Sequence, residues 1–176
     1  MDLKRIEEFQ IDQLTHEAIR ELLSKSFPGY PTDQSFFKQS PDFRYLLWQA
    51  QCLVAHMAVE HRHINNSGQL LRIFGVVDLC VDEDFQHQRI ASRFLLELES
   101  LGKLHDIDFI VLQAQEPQLY ENHGFQMQSN LCQWLLIQNN ATLGVARRRL
   151  EQSLMIKPLN NKQWETGLVD FLGHVF

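Results

Sequence analysis

Long apolar runs are missing from this chain of 176 residues, and that is the first thing it rules on. Stretches such as Leu135-Leu136-Ile137 fall far short of the roughly 18 residues that a membrane-spanning helix needs, so no membrane partner is expected. Cysteine is scarce. Cys52, Cys80 and Cys132 are odd in number, far apart and set among apolar neighbours, which suits buried thiols in a reducing compartment. No CxxC pair suggests a zinc ribbon or a redox dithiol, and no metal is expected. Basic residues are not concentrated except at Arg147-Arg148-Arg149, and the net charge is -6, so a nucleic-acid partner is not expected either. The opening Met1-Asp2-Leu3-Lys4-Arg5 leads into charged and polar residues rather than an apolar stretch, which points to the cytoplasm. Repeats, linkers and low-complexity tracts are absent, so residues 1–176 read as one domain.

What is present is a change of period. Residues 3–9 suit a strand. A helix is expected from Leu14-Thr15, with Thr15 as cap and Leu14 stapled to Ile19; Ile19, Leu22, Leu23 and Phe27 form its apolar face until Pro28-Gly29. Thr32 to Gln39 suggests a short second helix. From Phe43 the pattern becomes extended: Phe43–Gln49, Cys52–Ile64 and Leu70–Val81 read as an antiparallel meander, with Asn65-Asn66-Ser67-Gly68 as a turn. Helical spacing returns from Ile90 to His105. Phe109-Ile110-Val111-Leu112 is then a strand buried on both faces, Pro117–Asn122 a brief helix ended by Gly124, and Gln133–Ile137 and Ser153–Leu159 two late strands. The order implies an α/β fold with a mixed sheet.

Chemistry concentrates in Asp78-Leu79-Cys80-Val81-Asp82-Glu83-Asp84-Phe85-Gln86-His87-Gln88-Arg89-Ile90-Ala91-Ser92. A strand that enters a helix through a short loop aims unpaired amides and the positive end of the helix dipole at one spot, where a pyrophosphate fits. This junction resembles the Arg/Gln-x-x-Gly-x-Gly/Ala signature of the GNAT acyltransferase superfamily, matched here by Gln86, Arg89 and Ala91. Leu119-Tyr120-Glu121-Asn122-His123-Gly124-Phe125 is similar to that superfamily's Leu-Tyr-x-x-x-Gly-Phe. Arg89 replaces the middle glycine; an arginine keeps the backbone path if its φ is negative.

Within the superfamily, Leu53 to Val59 with His61-Arg62-His63, and the ending Leu168 to Phe176, resemble aminoglycoside 2'-N-acetyltransferases from about Phe27 onward. That family's early aspartate falls on Tyr30, with Asp33 nearby. Its acidic residue on the fourth strand falls on Val77, so Asp78 would need a local bulge to present its side chain.

The resemblance implies acetyl-CoA as donor and a primary amine of a small molecule as acceptor, an aminoglycoside-like amino sugar among them, with a homodimer left open. Alternatives are another acyl donor, a peptide acceptor, or a non-catalytic acyl-CoA-binding module. Tyr120 would be the general acid, and Asp78 the first candidate for the base, ahead of Glu60 and His56. Amides of Gln86, His87, Gln88, Arg89, Ile90, Ala91 and Ser92 would hold the pyrophosphate, and the main chain of Leu79, Cys80 and Val81 the pantetheine arm. Asp33, Asp170 and Phe176 would meet the acceptor. His61-x-His63 reads as a solvated strand end, the arginine triplet as a solvated loop or helix face, and Trp48, Trp134 and Trp164 as core or rim packing.

Overall fold

The computed structural model describes residues 1–31 and 33–176. Among these residues the elements run β1 (Asp2–Glu7), α1 (Gln13–Ser26), β2 (Phe43–Gln49), β3 (Cys52–Asn66), β4 (Gln69–Val81), α2 (Ile90–Leu104), β5 (Phe109–Gln113), α3 (Pro117–Glu121), β6 (Gln126–Met127), β7 (Asn130–Gln138), β8 (Ala141–Leu150), β9 (Leu154–Pro158) and β10 (Val169–Asp170). The expected α/β class with a mixed sheet is what the chain forms. Its residues group into two compact units, Met1–Glu60 with Val77–Glu97, and His61–Val76 with Leu98–Phe176.

In the first unit β1 pairs antiparallel with β2, and β2 antiparallel with β3. Helix α1 buries Ile19, Leu22 and Leu23 against Leu46, Leu53 and Cys80. Each such side chain is worth about 1.5–3 kcal/mol when taken from water. The helix starts earlier than Thr15: Asp12 is the cap, and its carboxylate accepts the Thr15 amide at 2.8 Å. Leu14 is 75% exposed, so no staple forms. The second helix expected from Thr32 is not there among the described residues 33–39, which form bends; Thr32 itself lies outside the described residues. The Ser35 carbonyl, which a helix would have used internally, instead accepts from Arg44 at 2.8 Å.

In the second unit the strand order is β6-β9-β5-β4-β3-β10-β7-β8. The β4–β5 and β10–β7 pairs are parallel, while β5–β9 and β7–β8 are antiparallel. Ser67 and Gly68 make the β3–β4 turn at φ 55° and 92°, with Asn65 and Asn66 still in β3. Ile73, Phe109, Val111, Cys132, Ile156 and Phe171 belong to one buried cluster, against which Trp134 and Trp164 pack. Gly75 is required there: a Cβ on it would run into the Phe176 ring. Strand β8 was not expected from the sequence, and it carries Arg147-Arg148-Arg149, so the triplet lies on a strand rather than a loop or helix. Cys80 and Cys132 are buried thiols, but Cys52 is exposed.

The first unit is organised around a buried guanidinium. Arg44 is 0% exposed, and every one of its N–H groups has an acceptor. Nε and Nη2 grip the Glu8 carboxylate at 2.5 and 2.9 Å, Nη1 reaches Ser35 O and His56 Nε2 (2.9 Å), and Nη2 also reaches Ser35 Oγ at 3.4 Å. Arginine can only donate, so His56 Nε2 is an acceptor and the ring proton sits on Nδ1. Nδ1–H donates to the Asp78 carbonyl at 2.9 Å. Burial, followed by the adjacent Arg44 charge, pushes the His56 pKa down to about 3. The imidazole is neutral, and both of its nitrogens are engaged.

Arg44→Met strands the half-buried Glu8 charge and should cost about 3–5 kcal/mol, read as a lower denaturation midpoint in urea. Stability should also depend on pH through His56. Its folded pKa is depressed, so the unfolded chain binds the extra proton as pH falls below about 6.5, and stability present above that value is lost toward pH 3. The expected slope is about 1.4 kcal/mol per pH unit for one proton, and His56→Asn should remove one proton's worth of it.

Candidate functional site

The loop between β4 and α2 is built by local caps. Asp82 is anchored by its amide to Val54 O at 2.9 Å, and its side chain accepts the Asp84 amide at 3.1 Å, opening a single 3-10 turn over Glu83–Phe85. Gln86 Nε2 donates to Val81 O at 3.3 Å. His87 and Arg89 both stand at φ 61°. The condition of a negative φ at Arg89 is not met: the arginine takes the left-handed backbone that a glycine takes without cost. The first turn of α2 begins with the Arg93 amide on Arg89 O at 3.0 Å. Geometry leaves the amides of Ile90 and Ala91 without acceptors inside the helix, and the dipole makes that end positive. Gln86, His87, Gln88 and Arg89 are exposed, while Ile90 is buried and anchors the turn. Such a loop can hold an anion.

Asp78 lies at φ 51° inside β4, an irregularity that interrupts the extended alternation of side chains. Its carboxylate accepts the Tyr30 hydroxyl at 2.5 Å, and its carbonyl accepts His56 Nδ1–H. Tyr30, from the segment after α1, and Asp78, from β4, are thus brought together, whereas the position that the resembling family would use on this strand is the neighbouring Val77. Burial raises the Asp78 pKa above its ordinary value, and Glu60 adds to this. The Tyr30 hydrogen bond and the charges of Arg44 and Lys38 oppose it. Cys80, main-chain neighbour of the proposed pantetheine strand, is a neutral thiol that burial pushes up to about 12.

Tyr120 sits in α3, entered at Pro117 and closed by Gly124 at φ 78°, whose amide returns to Glu121 O at 3.0 Å. The ring packs edge-on against Phe125 at 5.7 Å, which explains why the motif pairs this tyrosine with that phenylalanine. Burial, then the Glu116 carboxylate, raises the Tyr120 pKa to about 12. In the second unit the β4–β5 ladder runs from Ile73↔Phe109 to Gly75↔Val111.

The remaining residues differ in readiness. Asp33 is exposed, and its carbonyl accepts from Arg20. Both Asp170 oxygens are engaged, by Gln133 Nε2 at 3.0 Å and the Leu172 amide at 2.9 Å. The Phe176 ring is covered by the Arg62 guanidinium at 4.3 Å and by Phe171. His61 accepts from Arg72 Nε at 3.0 Å, and no cluster of metal-ligating side chains forms among the described residues. Sequence reasoning missed Arg44 and Ser35. The available signal was a charge inside the apolar run Phe43-Arg44-Tyr45-Leu46-Leu47, where an arginine must bring its acceptors with it.

No family model matches the chain. Among solved structures it is similar to a GNAT family N-acetyltransferase, YhbS, from Escherichia coli in complex with CoA: TM-score 0.63, 19% identity, 96% of this chain and 88% of that one. A GNAT family acetyltransferase from Staphylococcus aureus gives TM-score 0.56 and 15% identity over 90% of this chain and 100% of that one. Eis1 from Mycobacterium abscessus gives 0.63 and 12% over 73% of this chain and 32% of that one. The chain spans about a third of the length of such larger neighbours, 33% for a protein from Enterococcus faecalis. Identities this low speak for architecture alone, and the architecture is the GNAT acyltransferase fold.

Proposed function

We propose that the chain is an acetyl-CoA-dependent N-acetyltransferase, one GNAT domain acting on a primary amine of a small molecule. The observation that carries this reading is the loop from Gln86 to Ser92, where Arg89 keeps a glycine-like backbone at the mouth of α2. A non-glycine residue held left-handed costs on the order of 1–3 kcal/mol, and a strain of that size marks a loop whose path matters. The amides of His87 to Ala91 take the pyrophosphate, the Gln86 amide being held by Glu83 O at 3.3 Å, and the main chain of Leu79, Cys80 and Val81 pairs with the pantetheine amides as a strand would. The CoA named with the Escherichia coli neighbour supports the same choice of donor.

Asp78 takes one proton from the substrate ammonium. The free amine attacks the acetyl carbonyl, a C–N bond forms and the C–S bond breaks, and the sulfur receives a proton from Tyr120. Of the two protons the nitrogen loses, one ends on the coenzyme thiol and the other in solvent. A thiol in water has a pKa of about 8.5, too low to draw a proton readily from a phenol near 12. Desolvation narrows that gap, because burial raises the pKa of a thiol toward that of the phenol. Asp33, Asp170 and Phe176 enter as secondary acceptor contacts, and of these Asp33 is the exposed carboxylate.

Calorimetry should show acetyl-CoA binding, and a free-thiol assay over amines, aminoglycosides and peptide N-termini should show turnover. No binding would sink the proposal; binding without thiol release on any amine would favour an acyl-CoA-binding module. Tyr120→Phe should bind acetyl-CoA normally and lose on the order of 100-fold in kcat. Arg89→Gly should relieve the left-handed strain, leaving stability unchanged or raising it by up to about 1 kcal/mol, with acetyl-CoA binding retained. A marked drop in its melting temperature would contradict the strain at this position.

A further inference from the structure

Tyr30 is aimed before any ligand arrives. Its amide donates to Phe27 O at 3.1 Å after the Gly29 turn at φ 84°. Its ring is flanked by Phe27 at 6.1 Å and Phe37 at 5.9 Å. The hydroxyl that results meets Asp78 Oδ2 at 2.5 Å. We propose that Tyr30 is the positioning residue for the Asp78 carboxylate, fixing one oxygen by hydrogen bond so that the other is presented to the acceptor amine. This rests on the reading of Asp78 as the base of an N-acetyltransferase.

Asp78 is held from both ends. The His56 Nδ1–H bond fixes the carbonyl and the left-handed turn, and the Tyr30 bond fixes the side chain. A carboxylate gripped at one oxygen loses rotational freedom about its side chain, which is the freedom a proton acceptor must surrender to meet an amine in line. The direction of the bond is set as well. Burial and the Asp78 charge push the Tyr30 phenol far above its ordinary range, so Tyr30 keeps its proton and donates at every working pH. The groups that act on Asp78 are balanced. Tyr30, Arg44 and Lys38 favour the ionised form, burial and Glu60 oppose it, His56 is neutral, and the Cys80 thiol is protonated. Removing the hydroxyl alone therefore moves the balance toward the neutral acid.

The test is Tyr30→Phe, which keeps the ring and its contacts with Phe27 and Phe37. Aspartate labelled with 13C at the carboxyl gives a signal for Asp78, assigned by its loss in Asp78→Asn, whose titration needs no substrate. The midpoint should rise by about one pH unit in Tyr30→Phe, and the acid limb of kcat/KM should move with it, while kcat falls more than KM changes. An unchanged midpoint overturns the proposal. A midpoint that moves while the acid limb stays also overturns it, because the contact would then be structural only. Failure of the wild-type protein to acetylate any amine is a different result: it removes the acyltransferase reading on which the positioning role depends, and the carboxyl titration separates that failure from a missing contact.

Discussion

A charge with no water around it governs the first unit. Arg44 has given up all hydration, so its guanidinium is tolerable only if every donor meets an acceptor, and the chain supplies them from three separate places. Glu8 follows directly on β1, Ser35 comes from the segment after α1, and His56 from β3. Each of these is thereby pinned to β2. The consequences propagate: because Arg44 can only donate, His56 must carry its proton on Nδ1, and that proton reaches the Asp78 carbonyl. An apolar residue at position 44 would fill the space, but it would specify neither the tautomer nor the turn at Asp78.

The second constraint is where backbone strain lies. Asp78, His87 and Arg89 all take positive φ without being glycine, within the strand and loop that the coenzyme-side motif occupies. Such conformations persist when surrounding contacts over-determine them. Asp78 has His56 and Tyr30; the loop has the Asp82 cap and the buried Ile90 on either side. Under the proposed role of Asp78 as base, its strain bears on the problem of register. A residue one place along a strand faces the wrong way, and a left-handed step is a way of turning it without deleting a residue.

Much of the fold was legible because periodicity is a local property. The alternation of Phe43–Gln49, the apolar spacing of Ile90–Leu98 and the continuous run Phe109–Leu112 each state their element in a few residues. What escaped depended on distance. Residues 33–39 look helical alone, but the Ser35 carbonyl is claimed by Arg44. Strand β8 has Gly144 within it and an exposed face on nearly every residue, so it lacks the apolar period that betrays a strand; it exists because β7 supplies its ladder. Asp12 displaced Thr15 as cap although both were visible, since an aspartate three residues ahead of an amide captures it directly. At the site, the Gln86–Ala91 and Leu119–Phe125 motifs could be read as strings. The Tyr30–Asp78 contact joins positions 48 residues apart and could not.

That contact also bears on the acceptor of the proposed acyltransferase. A polycationic acceptor calls for several free carboxylates, since each ammonium left unpaired near protein costs solvation. Here the buried carboxylate beside the aromatic residues is already shared with a phenol, and Asp170 has both oxygens committed to Gln133 and Leu172. In the first unit Asp33 keeps an exposed carboxylate, and Phe37 is 51% accessible, with the Lys38 ammonium 5.9 Å from its ring centre. Lys38 already occupies that face, so under the proposed reading the acceptor's charge is met by carboxylate rather than by the ring. The overall negative charge would draw cations of either kind at long range, so under the proposed reading discrimination between them falls to the few groups around Asp78.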